Sequence, residues 1–350
     1  MTRCRLAHAM LLAPVLCFFP VERATAVVVA DGDGTGNVTA PPDDPGWSHV
    51  GQRGEDTFGG SAVYLGNLWV LTVAHIQSGW IDFPSGRFFG VPGSAVELQN
   101  PSGLGLTANT DMKLYRLTED PGLPPLTISE TPPPVGSEVL MIGAGRNRMV
   151  PLKGWDTSDP TWVDAPVGTA DVRGYELDSN SRTMRWGTNV IVDDDILGVP
   201  TSGHQFITDN APYGHVISLG VHFEENGPIN ESSTARGDSG GAAFYRHGST
   251  WELTGIMHYL YTLPGQPFDT SIFGDAGHVG NIALFSDLSA YRDQIVSITG
   301  IPEPSTLAVV VMLGLWGRRR PRALSSAFIR VHPWFNFSGS GSCGGVRGRR

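Results

Sequence analysis

The chain has 350 residues, a formal charge of −10, 45 glycines and 26 prolines. That length with so many turn formers suits one large β-domain or two barrels with material at each end, and no long amphipathic helical pattern appears before the C-terminal region. The acidic balance, with no Lys/Arg cluster before residue 318, argues against a nucleic-acid partner.

Residues 1–26 read as a secretory signal peptide: Arg3 and Arg5 give the positive start, residues 7–20 the apolar run and Ala24-Thr25-Ala26 the cleavage site. The run is short for a membrane span. Export removes Cys4 and Cys17, and Cys343 lies in the far tail, so the domain between has no disulfide and takes its stability from its core. The mature chain then begins at Val27. Asp31, Asp33 and Thr35 follow at calcium-loop spacing, but Pro42 stands where the closing glutamate belongs, which favours a solvated glycine-rich loop.

Residues 59–66 and 68–74 read as a hairpin turning at Gly66-Asn67. Trp69, Leu71 and Val73 share one face, and His75 continues that parity at the strand end. Asp111 opens a second apolar-alternating strand through Met112, Leu114 and Leu117. Residues 121–134 carry six prolines and read as a connector between two halves. Residues 136–145 open the second half as a strand ending in glycines. Residues 146–232 are the least legible part, with an insertion or long loops expected near 155–195 and a solvated cluster at Asp193, Asp194 and Asp195. His215 and His222 lie on one strand at odd separation and so face opposite sides, which argues against a zinc pair.

Gly237-Asp238-Ser239-Gly240-Gly241 is the densest signal. Acyl transfer by serine needs a hydroxyl at the tip of a tight turn and backbone N–H groups aimed at the developing oxyanion. Gly237 presents such an N–H beside that of Ser239, and Gly240 and Gly241 leave room for a substrate backbone. Alone, the run reads equally as a glycine-rich turn. Residues 285–300 are the one good helix, capped by Ser286 or Asp287, with Leu288, Tyr291, Ile295 and Ile298 as its stripe and Gly300 as its stop.

WVLTVAH, TDMKLYRL and GDSGG, in that order, resemble the three active-site motifs of the trypsin-like (chymotrypsin-fold) serine proteases. The resemblance implies an all-β fold of two antiparallel Greek-key β-barrels, the first about 47–125 and the second about 135–285, followed by a helix at 286–299 packed on the second barrel. The whole protease domain spans 27–300. It implies an exported serine endopeptidase acting on protein or peptide substrates without a cofactor, with Ser239 as nucleophile, His75 as base, Asp111 orienting the imidazole, and the Gly237 and Ser239 amides as the oxyanion hole. It also implies that an apolar amino terminus pairs with Asp238, and Val27 exposed by signal peptidase fits that part. Ser233, six residues before the nucleophile, takes the pocket-floor position, and His258-Tyr259-Leu260 forms the opposite wall. A neutral Ser233 favours apolar or aromatic residues before the scissile bond, unless Glu224, Glu225 or Glu231 enters the pocket and favours basic ones. Ile76 stands where many relatives carry a cysteine. An inactive surface-binding module and an esterase-like hydrolase are the alternatives.

After the helix, Ile301-Pro302-Glu303-Pro304, an apolar run to Trp316 and Arg318-Arg319-Arg320 resemble the PEP-CTERM sorting signal of Gram-negative bacteria. That resemblance implies recognition of residues 301–320 by envelope sorting machinery, with the apolar run in the bilayer before processing and the arginines on the cytoplasmic side. The protein would then reside at the envelope, on the surface or outside the cell. Residues 321–350 read as a basic, disordered tail.

Overall fold

The apolar alternation around Gly66 folds as the expected hairpin in the computed structural model, which describes residues 27–54, 59–193, 205–275 and 280–301. Asn67 and Leu68 both hold left-handed backbone angles, φ 50° and 69°, as a tight two-residue hairpin loop requires. The chain therefore turns one residue later than Gly66-Asn67. Residues 1–26, expected to be a signal peptide, and the residues beyond Ile301, including most of the expected sorting segment, lie outside the described residues, as do Asp194 and Asp195.

A short strand β1 (Val28–Val29) precedes seven strands: β2 (Val50–Arg53), β3 (Gly60–Gly66), β4 (Trp69–Thr72), β5 (Ile81–Phe83), β6 (Gly86–Phe88), β7 (Val96–Gln99) and β8 (Asn109–Arg116). They form an antiparallel sheet in the order β6-β5-β2-β3-β4-β8-β7. A bridge from Gly90 to Leu117, just beyond β6 and β8, closes six of them into a barrel with β7 on its rim.

In the second half, β9 (Glu138–Gly143) is followed by β10 (Arg146–Arg148), β11 (Lys153–Asp156), β12 (Val163–Ala165) and β13 (Val172–Arg182). Then come β14 (Arg185–Val190), β15 (Phe206–Asp209), β16 (His215–His222), β17 (Ser232–Ser233), β18 (Ala242–His247), β19 (Thr250–Tyr261), β20 (Thr270–Ile272) and β21 (Ile282–Ser286). The second large sheet runs β14-β9-β18-β19-β21-β16-β15, and an Ile191–Val221 bridge closes its first six strands. Numbered along the chain, the six strands of each barrel follow the same circular order, first, second, third, sixth, fifth, fourth. This is an all-β, two-barrel Greek-key fold of the chymotrypsin-like class with a C-terminal helix, as the motifs implied.

Residues 146–182 build something the sequence expectation left as loops. β10, β13, β11 and β12 pair in that order, and β20 also joins β13 to complete a small third sheet. Its apolar centre is Trp155, Val172 and Ile272. Apolar parity explains where the rest of the core sits. Val70, Tyr64 and Tyr115 fill the first barrel, while Leu71, Val73 and Met112 point the other way into a larger core shared with Leu140, Ile142, Phe244 and Ile256 of the second barrel. The proline-rich connector is clipped to both halves, through Leu126 N–H to Leu65 O (3.0 Å) and Ser129 N–H to Leu253 O (3.0 Å).

The helix is shorter than expected. Phe285 and Ser286 end β21, Asp287 caps a single 3-10 turn at Leu288–Ala290, and α1 (Arg292–Thr299) follows to a left-handed Gly300. Ladder pairing of Ser286 with Ser218 holds the first residues extended. Nor does the helix serve only the second barrel. Asn67 of the first barrel donates to Gly300 O (2.9 Å), and the Tyr291 hydroxyl donates to Asn100 Oδ1 (2.7 Å) while accepting from Ile217 N–H (3.0 Å).

The described residues include no cysteine, and the seam between the barrels is fastened by an arginine. The Arg182 guanidinium donates to Gly60 O (2.9 Å) in the first barrel and to Ala144 O (2.9 Å) and Gly237 O (3.2 Å) in the second. Arg182→Met keeps the stem and strands those carbonyls, so stability should fall by about 3 kcal/mol, read as a lower urea midpoint. An unchanged midpoint would show that water replaces the guanidinium at no cost.

Candidate active site

The register of β4 against β8 pairs Thr72 with Lys113, so the turn that follows β4 runs alongside Asp111. His75 Nδ1 lies 2.6 Å from Asp111 Oδ2, and the His75 backbone N–H donates to Oδ1 at 3.0 Å. A carboxylate only accepts, so Nδ1 carries the proton and Nε2 is left as an acceptor. Asp111 is fully buried, and the Lys113 ammonium holds the turn by donating to Ala74 O at 3.1 Å.

Two further residues reach this pair from the β15–β16 turn. The Asn210 side-chain amide donates to Asp111 Oδ2 at 2.5 Å, and the Tyr213 ring lies 5.7 Å from the imidazole. Sequence reasoning missed both. Asn210-Ala211-Pro212 signals a turn, and nothing in it signals that the turn closes over an aspartate 99 positions away.

Ser239 sits at the mouth of the cleft between the barrels. The close approach is made at Gly60, where a Cβ would lie 2.7 Å from Ile76, the neighbour of His75, and 2.9 Å from Ser239 O. The Ser239 hydroxyl makes no hydrogen bond among the described residues, so the structure joins His75 to Asp111 but does not bond Ser239 to the imidazole. Gly237 has φ 98°, and its carbonyl is drawn back by Ser61 Oγ–H (3.0 Å) and Arg182. Among the described residues the Gly237 and Ser239 amides donate to no protein group, as an anion site requires. Gly240 holds φ 86°, a turn angle that a β-carbon resists, but the room it leaves is not for substrate. A Cβ there would stand 2.1 Å from Ser61 O, so its absence admits the first barrel rather than a substrate.

Asp238 faces inward and is fully buried. Its carboxylate accepts from the N–H groups of Gly145 (2.7 Å), Ala235 (2.7 Å) and Val27, and burial pushes its pKa up to about 7. Val27 is buried beside it, and β1 pairs with β17, Val28 against Ser233. Arg148 anchors the segment that follows, donating to Val29 O (2.8 Å), Asp31 O (3.2 Å) and Gly32 O (2.6 Å). The guanidinium therefore occupies carbonyls that a cation in the 31–36 loop would need. Asp33 caps its own turn through Thr35 N–H (2.9 Å).

A cavity of about 370 Å³ opens beside Ser239. His258 lines it, fully buried and with its pKa pushed down to about 4 by that burial, so it is neutral; its Nε2 is 2.9 Å from Ser218 Oγ. Ser233 does not reach the cavity. It is buried on β17, and the next residue, Thr234, supplies the wall. None of the three glutamates enters either. Glu225 pairs with Arg173 (2.5 Å), and Glu231 is buried against Asn189 (3.0 Å) with its pKa pushed up to about 8. Glu224 forms a bridge with Gly274. Leu177 of the third sheet contributes to the lining, which gives the inserted region a place at the site.

No family model and no curated protein matches the chain. Among solved structures, the chain is similar to neuropsin, described as a serine protease expressed in the limbic system of mouse brain, at 15% identity over 75% of this chain and 97% of that one, with a TM-score of 0.43. It is also similar to kallikrein-related peptidase 10, at 13% identity over 75% of this chain and 98% of that one, with a TM-score of 0.40.

Proposed function

We propose that the protein is an exported serine endopeptidase. The observation that carries this reading is the buried Asp111 carboxylate bonded to His75 Nδ1 at 2.6 Å, which leaves Nε2 as a base at the cleft where Ser239 lies. Ser239 Oγ attacks the scissile carbonyl as His75 Nε2 takes its proton. The tetrahedral oxyanion settles on the Gly237 and Ser239 amides, and the imidazolium, stabilised by Asp111, returns the proton to the leaving amine. Water then adds to the acyl-enzyme by the same proton path in reverse. Asn210 keeps the carboxylate oriented as the imidazole charges.

Signal peptidase cleavage after Ala26 would leave an α-ammonium at Val27, against the Asp238 carboxylate that the Val27 N–H already meets. Export and activation are then one event. The PEP-CTERM-like segment belongs to the same reading, as the means by which sorting machinery delivers the protein to the envelope or beyond.

A fluorophosphonate serine-hydrolase probe tests the reading. On the processed protein beginning at Val27, peptide mapping should find the label on Ser239 alone. Folded, processed protein that takes no label would favour the inactive binding module. Label on Ser239 with hydrolysis of esters but of no peptide would favour the esterase-like alternative.

A further inference from the structure

We propose that the cavity beside Ser239 seats an acidic side chain, so that the enzyme cleaves polypeptides after glutamate or aspartate. This rests on the endopeptidase reading above and names its substrate class.

The cavity lining carries two groups charged at neutral pH, Arg236 and Asp269. Asp269 is already matched from behind by Arg146, which is buried and ion-paired to Asp269 Oδ1. Arg236 reaches the same oxygen only with Nε, at 3.6 Å, longer than a direct hydrogen bond. Two guanidinium groups face one carboxylate, so the cluster holds one uncompensated positive charge. The Arg236 guanidinium makes no direct hydrogen bond among the described residues, and it lies 4.1 Å over the Phe268 ring, a contact that leaves its donors unspent. A planar fork with its N–H groups unspent fits a carboxylate bidentately.

Thr234 adds to the wall beside it. Leu177, Met257 and Leu260 give the cavity an apolar side, beside the polar Thr262, Gln266 and Thr270, and that side suits the methylene stem of a glutamate. A lysine or arginine side chain would meet the net positive cluster, with Asp269 already engaged. A phenylalanine would leave the fork dry and unpaired.

Matched peptide substrates that differ only in the residue before the scissile bond decide the matter, with Glu, Phe and Lys compared by kcat/KM. Glu should lead both others by about 10-fold or more, and in Arg236→Gln the Glu-to-Phe ratio should fall about 10- to 100-fold. Arg236→Glu should move the preference to Lys. A wild-type preference for Phe or Lys, or a ratio unmoved in Arg236→Gln, overturns the proposal. Fluorophosphonate labelling of the same wild-type preparation separates the two failures, since label on Ser239 without a Glu preference sinks this proposal alone. The ratio is taken within each protein, so a loss of folded material in a variant leaves it readable.

Discussion

Ser239→Ala should lower kcat by several orders of magnitude, on the order of 10⁶-fold where serine is the nucleophile, while leaving the melting temperature where it was. The structure separates the two effects cleanly. The hydroxyl makes no hydrogen bond among the described residues, so alanine deletes no structural contact. What the fold needs from this position is its backbone carbonyl, which accepts from Ser61 N–H at 2.7 Å and survives the change. Burst kinetics with an active-site titrant and a thermal melt on the same sample check the prediction. Hydrolysis persisting in the variant would remove Ser239 from the mechanism, and a large fall in melting temperature would show that its hydroxyl has a structural partner.

Asp238→Asn should cost about two to four orders of magnitude in kcat/KM, the equivalent of the 3–5 kcal/mol lost when one member of a buried ion pair is removed. In chain processed to Val27 as proposed, an amide at 238 would leave the Val27 ammonium uncompensated, and it would replace one acceptor facing the Gly145 and Ala235 N–H groups with a donor. The neighbouring Gly237 and Ser239 amides then lose their fixed position. The same pair predicts a pH dependence. With Val27 still in a peptide bond, the Asp238 pKa is raised from 3.8 to about 7, so ionising the group costs folding free energy. That cost begins above the ordinary value, grows as pH rises, and levels off beyond about 7. A free Val27 ammonium offsets it. Chain processed to Val27 should therefore melt above chain still carrying Ala26 by a margin that is large at about pH 7.5 and small at about pH 4.5. An equal margin at both would show that the amino group is not paired with Asp238.

The pairing of His75 with Asp111 and the two barrels were legible because the motifs and alternations that mark them are local. Parity puts Leu71 and Val73 on one side, and that side proved to be the inter-barrel core. But β4 stops at Thr72, so His75 is delivered by the turn that follows and not by strand parity. The Asp111 strand follows the same alternation. Contacts between segments far apart in sequence were not legible. Asn210 finds Asp111 only because β15 and β16 fold back over the cleft, and Arg182 ends a strand of a sheet that has no periodic signature. The pocket was misjudged for a related reason. Counting back from Ser239 named Ser233, whereas pairing of β17 with β1 draws Ser233 into the core and turns the wall over to Thr234. The helix start slipped because Phe285 and Ser286 satisfy a helical pattern and a ladder equally well, and the ladder had a waiting partner in β16.

Arg148 grips the segment behind Val27 through its carbonyl oxygens. Carbonyls are common to every residue, so this grip reads the spacing along the backbone and fixes the number of residues between itself and the amino end. The segment works as a measuring rod, and a chain begun one residue early or late would carry its first nitrogen past or short of the carboxylate that waits for it.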